Sequence, residues 1–203
     1  MNFSAIILAG GQSRRMGRDK AWLEVAGRPL VAVAGEKIRR AGIGEIFISG
    51  RAGVDYSALD CPVLLDERPE LGPLSGIERG LAASHSPLLL VFAVDLARMT
   101  TAFLQQLKAQ CDPRTGVVPQ LAGELEPLAA VYPKRCHEIV RAAILDSRLS
   151  ARGFAAACQR EQAVRYWPIP ASESEWFTNW NHPADLPADV KNSERLTNTE
   201  RSR

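Results

Sequence analysis

The chain has 203 residues, 46% of them hydrophobic and 24% charged, the make-up of an ordinary soluble globule of one domain with a sizeable core. Its net charge of +2 is too small to predict binding to nucleic acid or a membrane surface. No apolar run approaches the ~20 residues of a membrane span, and the N-terminus lacks the charged region and cleavage site of a signal peptide. Cys61, Cys111, Cys136 and Cys158 are widely spaced and share no ligand spacing with His85, His137 or His182. They read as reduced, mostly buried thiols, and the expected location is the cytoplasm.

In chain order, Phe3–Leu8 is short, apolar and partly β-branched, a buried first strand that runs into Ala9-Gly10-Gly11. Pro29–Gly42 repeats Leu30, Val33, Ala34, Ile38 and Ala41 at helical spacing and closes on a glycine. Strands follow at Glu45–Ser49 and Pro62–Leu65, the second ending in Asp66. Gly72-Pro73 opens a helix that carries Leu74, Ile77 and Leu81 on one face. Pro87–Val94 is apolar on both alternating faces, as in a central parallel strand covered on both sides, and ends in Asp95. Beyond it the pattern predicts helices over Thr100–Cys111, Lys134–Ser147 and Ala151–Gln159, and strands at Gly116–Pro119, Leu128–Tyr132 and Val164–Pro168. The alternation predicts an α/β three-layer sandwich with a mostly parallel central sheet. Residues 1–187 are expected to form a single domain and 188–203 a polar, disordered tail.

Ligands on such sheets bind beyond the carboxyl ends of the strands. The unusual residues of this chain stand there: the Gly10-Gly11 pair, Asp66 and Asp95. Two glycines after a strand let the backbone turn tightly and turn its N–H groups on an anion. Arg14, Arg15, Arg18 and Lys20 add positive charge, so the loop suggests a polyphosphate. It is not a Walker A loop, because no Lys-Ser or Lys-Thr follows its last glycine, and GGQSRRMG does not spell the dinucleotide fingerprint. A glycine turn with a solvated basic face is the competing reading.

The stretch LAGGQSRRMGRDK, residues 8–20, resembles the signature of the MobA-like NTP transferases, the branch of molybdenum cofactor guanylyltransferases within the glycosyltransferase-A-like nucleotidyltransferases. Leu8, Ala9, Gly10, Gly11, Ser13, Arg15, Met16, Gly17, Asp19 and Lys20 match its form. GPLSGI (Gly72–Ile77) is similar to the family's GPL-x-G element, with Asp66 before it, and NWNHPADL (Asn179–Leu186) to its N-x-N-x-P-x-D-L element. The chain departs from the pattern at Asp95-Leu96-Ala97, where the family commonly reads D-x-P, and at Ser49-Gly50-Arg51, where an asparagine is common.

The resemblance implies transfer of GMP from GTP to the terminal phosphate of molybdopterin, with pyrophosphate released. It implies Mg²⁺ held by Asp95, and Arg15, Lys20 and Asp95 as the catalytic set. It implies nucleotide contacts from Leu8, Ala9, Gly10, Gly11, Lys20, Ser49, Asp66, Gly72 and Asp95, and acceptor contacts from Asn179 and Asn181. The partners implied are GTP, molybdopterin or Mo-molybdopterin, and proteins of molybdenum insertion and molybdoenzyme maturation. Each residue has a plainer reading. Asp95 could cap a helix or turn, Gly72 and Gly76 could be turn and packing glycines, and Asn179 and Asn181 suit a turn before Pro183. Trp176 and Trp180 read as packing residues. A cytidylyl or sugar-phosphate nucleotidyltransferase, or a non-catalytic nucleotide-binding adaptor, remains as an alternative.

Overall fold

The computed structural model describes residues 1–9, 20–25, 27–66 and 68–178. Strand β1 (Phe3–Leu8) is followed by a two-strand ribbon, β2 (Glu24–Val25) and β3 (Arg28–Pro29), and by helix α1 (Leu30–Arg40). Then come β4 (Glu45–Gly50), β5 (Val63–Leu65), α2 (Pro73–Ala83), β6 (Leu88–Ala93) and α3 (Thr101–Ala109). The remainder is β7 (Gly116–Leu121), β8 (Glu124–Leu125), β9 (Ala129–Pro133), α4 (Cys136–Leu145), α5 (Ala151–Arg160) and β10 (Val164–Ile169), with a 3₁₀ segment at Ala171–Phe177. The predicted elements are all present, with ends shifted by a residue or two. Thr100, predicted as the first helical residue, is the cap of α3: its hydroxyl accepts the Phe103 N–H at 3.1 Å.

The main sheet runs β10-β7-β9-β6-β1-β4-β5, with β8 paired to β7. β1 is parallel to both β4 and β6, β4 to β5, and β7 to β10. β9 alone in that row is reversed, antiparallel to β6 and to β7. The reversal follows from the short connection through Ala122 and Gly123, both at positive φ, which leaves no length for a crossover helix.

Side chains alternate across the sheet, so one strand feeds two cores. Ala5, Ile7, Leu88, Leu90 and Phe92 pack with residues of α1 and α3. Ile6, Leu89 and Val91 pack with α2, α4 and α5. Every residue of β6 is buried, which a strand with both faces covered requires. Burying a Leu or Phe of this kind stabilises by about 1.5–3 kcal/mol each. Gly116 marks the tightest crossing: a Cβ there would stand 2.0 Å from the Val131 carbonyl oxygen. Cys111, Cys136 and Cys158 are buried and Cys61 is half-buried, all four as free thiols. Among the described residues no helix is long and apolar enough to cross a membrane.

Candidate functional site

The carboxyl ends of β1, β4, β5, β6, β7 and β10 open on one edge of the sheet, and hydrogen bonds extend the pairing just past the strands. Ala9 donates its N–H to the Ser49 carbonyl at 3.0 Å, and Val94 donates to Leu8 at 3.2 Å. Asp66 donates to Gly50 at 2.7 Å, and Ala93 to Leu128 at 2.8 Å. The root of the glycine loop is therefore rigid, as are the backbones on which Asp66 and Asp95 stand. Three strand spacings of about 4.8 Å, about 14 Å in all, separate β5 from β6, so Asp66 and Asp95 stand on either side of the β1 exit.

At the β5 end, Asp66 is half-buried. Its Oδ1 accepts the Ser75 hydroxyl at 2.7 Å and the Arg68 N–H at 3.1 Å. Ser75 is itself only 5% exposed, in the first turn of α2. Gly72, just before that helix, has φ 60° and ψ −143°, a backbone that side-chain-bearing residues rarely adopt. Gly76 and Gly80 let α2 lie against the sheet: a Cβ on Gly80 would stand 3.1 Å from Ile6. Ser49 is buried beneath Gly76, so its hydroxyl lies in the seam between helix and sheet.

At the centre, Asp95 is half-buried two residues beyond β6. Its loop lacks the family's proline yet is tightly turned. Leu96 donates to Ala93 at 3.2 Å and Met99 to Leu96 at 3.1 Å, while the Lys37 ammonium of α1 bonds the Ala97 carbonyl. Burial pushes the Lys37 pKa down. Among the described residues no three His, Cys, Asp or Glu side chains form a cage for a metal. A single carboxylate past a strand end nevertheless fits a hard divalent ion that takes its other ligands from phosphates and water.

On β8, Glu124 pairs with Arg152 of α5, and just beyond it burial pushes the Glu126 pKa up. The segment after β10 returns across the α3 side. Phe103 stacks on Trp167 at 5.4 Å and meets Trp176 and Phe177 edge-on at 5.4 and 5.3 Å. Arg98, in the Asp95 loop, pairs with Glu175 at 3.5 Å. Through Glu175, to whose carbonyl Thr178 donates its N–H, these contacts tie the segment that ends at Thr178 to the loop that carries Asp95.

Of the predicted site, the structure thus brings Leu8, Ala9, Ser49, Asp66, Gly72 and Asp95 to one edge. Gly10, Gly11, Arg15, the Lys20 side chain, Asn179, Asn181, Trp180 and the 188–203 tail lie outside the described residues. His85 pairs with Glu45, at the first residue of β4 and so at the far edge of the sheet, and His137 pairs with Glu78 between α2 and α4. Sequence reasoning missed Ser75, Lys37 and the Arg98–Glu175 pair. Ser75 alone had a signal, as the variable position within GPLSGI.

Residues 5–163 match the family model described as the MobA-like NTP transferase domain. The chain belongs to that family. Among its relatives, a probable molybdenum cofactor guanylyltransferase of Opitutus terrae is 34% identical over 182 residues, 88% of this chain and 90% of the relative. One of Synechococcus elongatus is 32% identical over 198 residues, 93% and 98% of the two chains. The fold is shared with molybdopterin-guanine dinucleotide biosynthesis protein A of Archaeoglobus fulgidus, at TM-score 0.67 and 23% identity over 97% of this chain and 99% of that one. It is also shared with 2-C-methyl-D-erythritol 4-phosphate cytidylyltransferase of Thermus thermophilus, at TM-score 0.68 and 21% identity over 97% and 98%. The MobA-like NTP transferase sheet thus carries Asp66 and Asp95 just past strand ends whose backbones are hydrogen-bonded to their neighbours.

Proposed function

We propose that this MobA-like NTP transferase is a molybdenum cofactor guanylyltransferase. It moves GMP from GTP to the terminal phosphate of molybdopterin or Mo-molybdopterin and releases pyrophosphate. The observation that carries the reading is the spacing of Asp66 and Asp95 on either side of the β1 exit. That span suits an extended nucleoside triphosphate, with its base toward Asp66 and its reacting phosphate toward Asp95.

Nucleophile and triphosphate are both anions, so the site must neutralise charge and align them. Arg15 binds the phosphates through its planar fork and Lys20 as a point charge. Leu8, Ala9, Gly10 and Gly11 supply backbone around the nucleotide, with Gly72 and Ser49 at its base end. Asp95 would hold a divalent ion such as Mg²⁺, which would offset charge on the phosphates. Asn179 and Asn181 hydrogen-bond the acceptor and orient its phosphate. An acceptor oxygen then bonds to the α-phosphorus as the bond to the bridging β-phosphate oxygen breaks. The expected setting is the cytoplasm, beside proteins of molybdenum insertion and molybdoenzyme maturation.

The test is incubation of the purified chain with labelled GTP, magnesium and molybdopterin. A labelled dinucleotide with stoichiometric pyrophosphate is expected. Equal product from CTP, or transfer to a sugar phosphate with none to molybdopterin, overturns the reading.

A further inference from the structure

Asp66 carries two hydrogen bonds on one oxygen, Oδ1, from the buried Ser75 hydroxyl and the Arg68 N–H. A carboxylate offers about four acceptor sites over two oxygens. Rotating this one would strip a buried hydroxyl of its partner, which costs about 1–3 kcal/mol. The carboxylate is therefore locked, and among the described residues nothing donates to its Oδ2. The backbone beneath is equally fixed, because Asp66 N–H is bonded to Gly50 of β4. A locked acceptor discriminates between bases. Guanine presents two adjacent donors on its pairing edge, the ring N–H and the 2-amino group. Adenine and cytosine each present a ring nitrogen acceptor at the corresponding place, which a carboxylate oxygen repels.

We infer that Ser75 is a positioning residue for base selectivity, turning the Asp66 carboxylate so that its second oxygen reads the donor edge of guanine. The inference rests on the reading of Asp66 as a nucleotide contact. Ser75 need not touch the nucleotide; it acts through Asp66. A site built around a fixed hydrogen-bonding group rejects analogues that lack the matching group far better than a purely apolar pocket does.

The test measures equilibrium binding of GTP, ITP and ATP to the purified chain without acceptor, for wild type, Ser75→Ala, Ser75→Thr and Asp66→Asn. ITP lacks the 2-amino group. Ser75→Ala is expected to weaken GTP about tenfold with ATP unchanged, and to shrink the gap between GTP and ITP. Ser75→Thr, which keeps the hydroxyl, should bind within about threefold of wild type. Asp66→Asn should lose most of the preference for GTP over ATP. In turnover assays Ser75→Ala should raise the KM for GTP and leave kcat alone. Wild-type GTP affinity in Ser75→Ala, or equal weakening of GTP and ATP, overturns the inference. Selective GTP binding without transfer to molybdopterin would instead defeat the proposed reaction and leave this inference standing.

Discussion

Gly76 on α2 faces Ser49 on β4 so closely that a Cβ in its place would stand 2.6 Å from the Ser49 Oγ and 3.0 Å from its Cβ. The Leu8 Cδ2 would be 2.6 Å away as well. A leucine methyl can swing aside, but the Ser49 Cβ is fixed to a strand. Gly76→Ala therefore sets two effects against each other. Helix propensity favours alanine by about 1 kcal/mol. Overpacking costs about 1–3 kcal/mol. The contact is expected to win, so that Tm falls by several degrees and the KM for GTP rises as α2 lifts away from Asp66. A thermal melt in which Gly76→Ala is more stable than wild type would show that the seam has slack.

Asp95→Ala should separate binding from chemistry. The side chain stands at the end of β6, on a backbone held by Val94–Leu8 and Ala93–Leu128 hydrogen bonds, so its removal leaves the strand in place. GTP affinity measured without metal is expected to stay within severalfold of wild type. Turnover should drop by about 10²-fold or more, the scale of losing one charge-stabilising group in a transfer site. Turnover equal to wild type would remove Asp95 from the role of metal ligand.

The legible parts of this fold are those whose cause is local. Leu88–Ala93 is apolar on both faces, and only a covered central strand needs that pattern. Asp95 stands out because a carboxylate just past a buried strand is a costly placement unless it is used or solvated, and Asp66 because it closes a short apolar run ahead of GPLSGI. Other parts have no local cause. Glu24–Val25, Arg28–Pro29 and Glu124–Leu125 pair over two residues each, too few for any period to register. The reversed direction of β9 is set by the short connection that leads into it from β7, not by its own residues. Ser75 and Lys37 act on groups 9 and 60 residues away in sequence, so neither role shows in a neighbouring pattern.

The segment that leads to Asn179 is held by aromatic packing more than by charge. Phe103 is fully buried and touches Trp167, Trp176 and Phe177. Phe103→Ala should cost about 3–5 kcal/mol and release the near-ultraviolet circular dichroism of the tryptophans. Arg98 and Glu175 are 38% and 64% exposed, so Arg98→Ala should cost less than about 1 kcal/mol, and its effect should vanish in high salt. Denaturant melts of the two variants rank the contributions. A larger loss for Arg98→Ala would make the ion pair the true clasp.

Alkaline pH should unfold the protein through its buried weak acids. Burial pushes the Cys111 thiol from its ordinary 9.0 to about 12. A hydrogen bond with Cys136 and burial push Cys158 upward too. Tyr132, fully buried with its phenol donated to the Pro127 carbonyl at 3.0 Å, is held well above its usual 10.0. In all three the folded pKa lies above the unfolded one, so the folded state binds more protons at high pH. The stabilisation is then complete below about pH 9, the ordinary thiol value, and drains away as pH climbs toward the folded values. Each group withdraws up to about 1.4 kcal/mol per pH unit once its unfolded form ionises. The expected result is a cooperative loss of far-ultraviolet circular dichroism at alkaline pH, with the tyrosinate absorbance of Tyr132 appearing in the same step. In Tyr132→Phe that absorbance should shrink by one tyrosine. Ionisation of Tyr132 at its usual pH with the fold intact would mean that the α4–α5 core admits water.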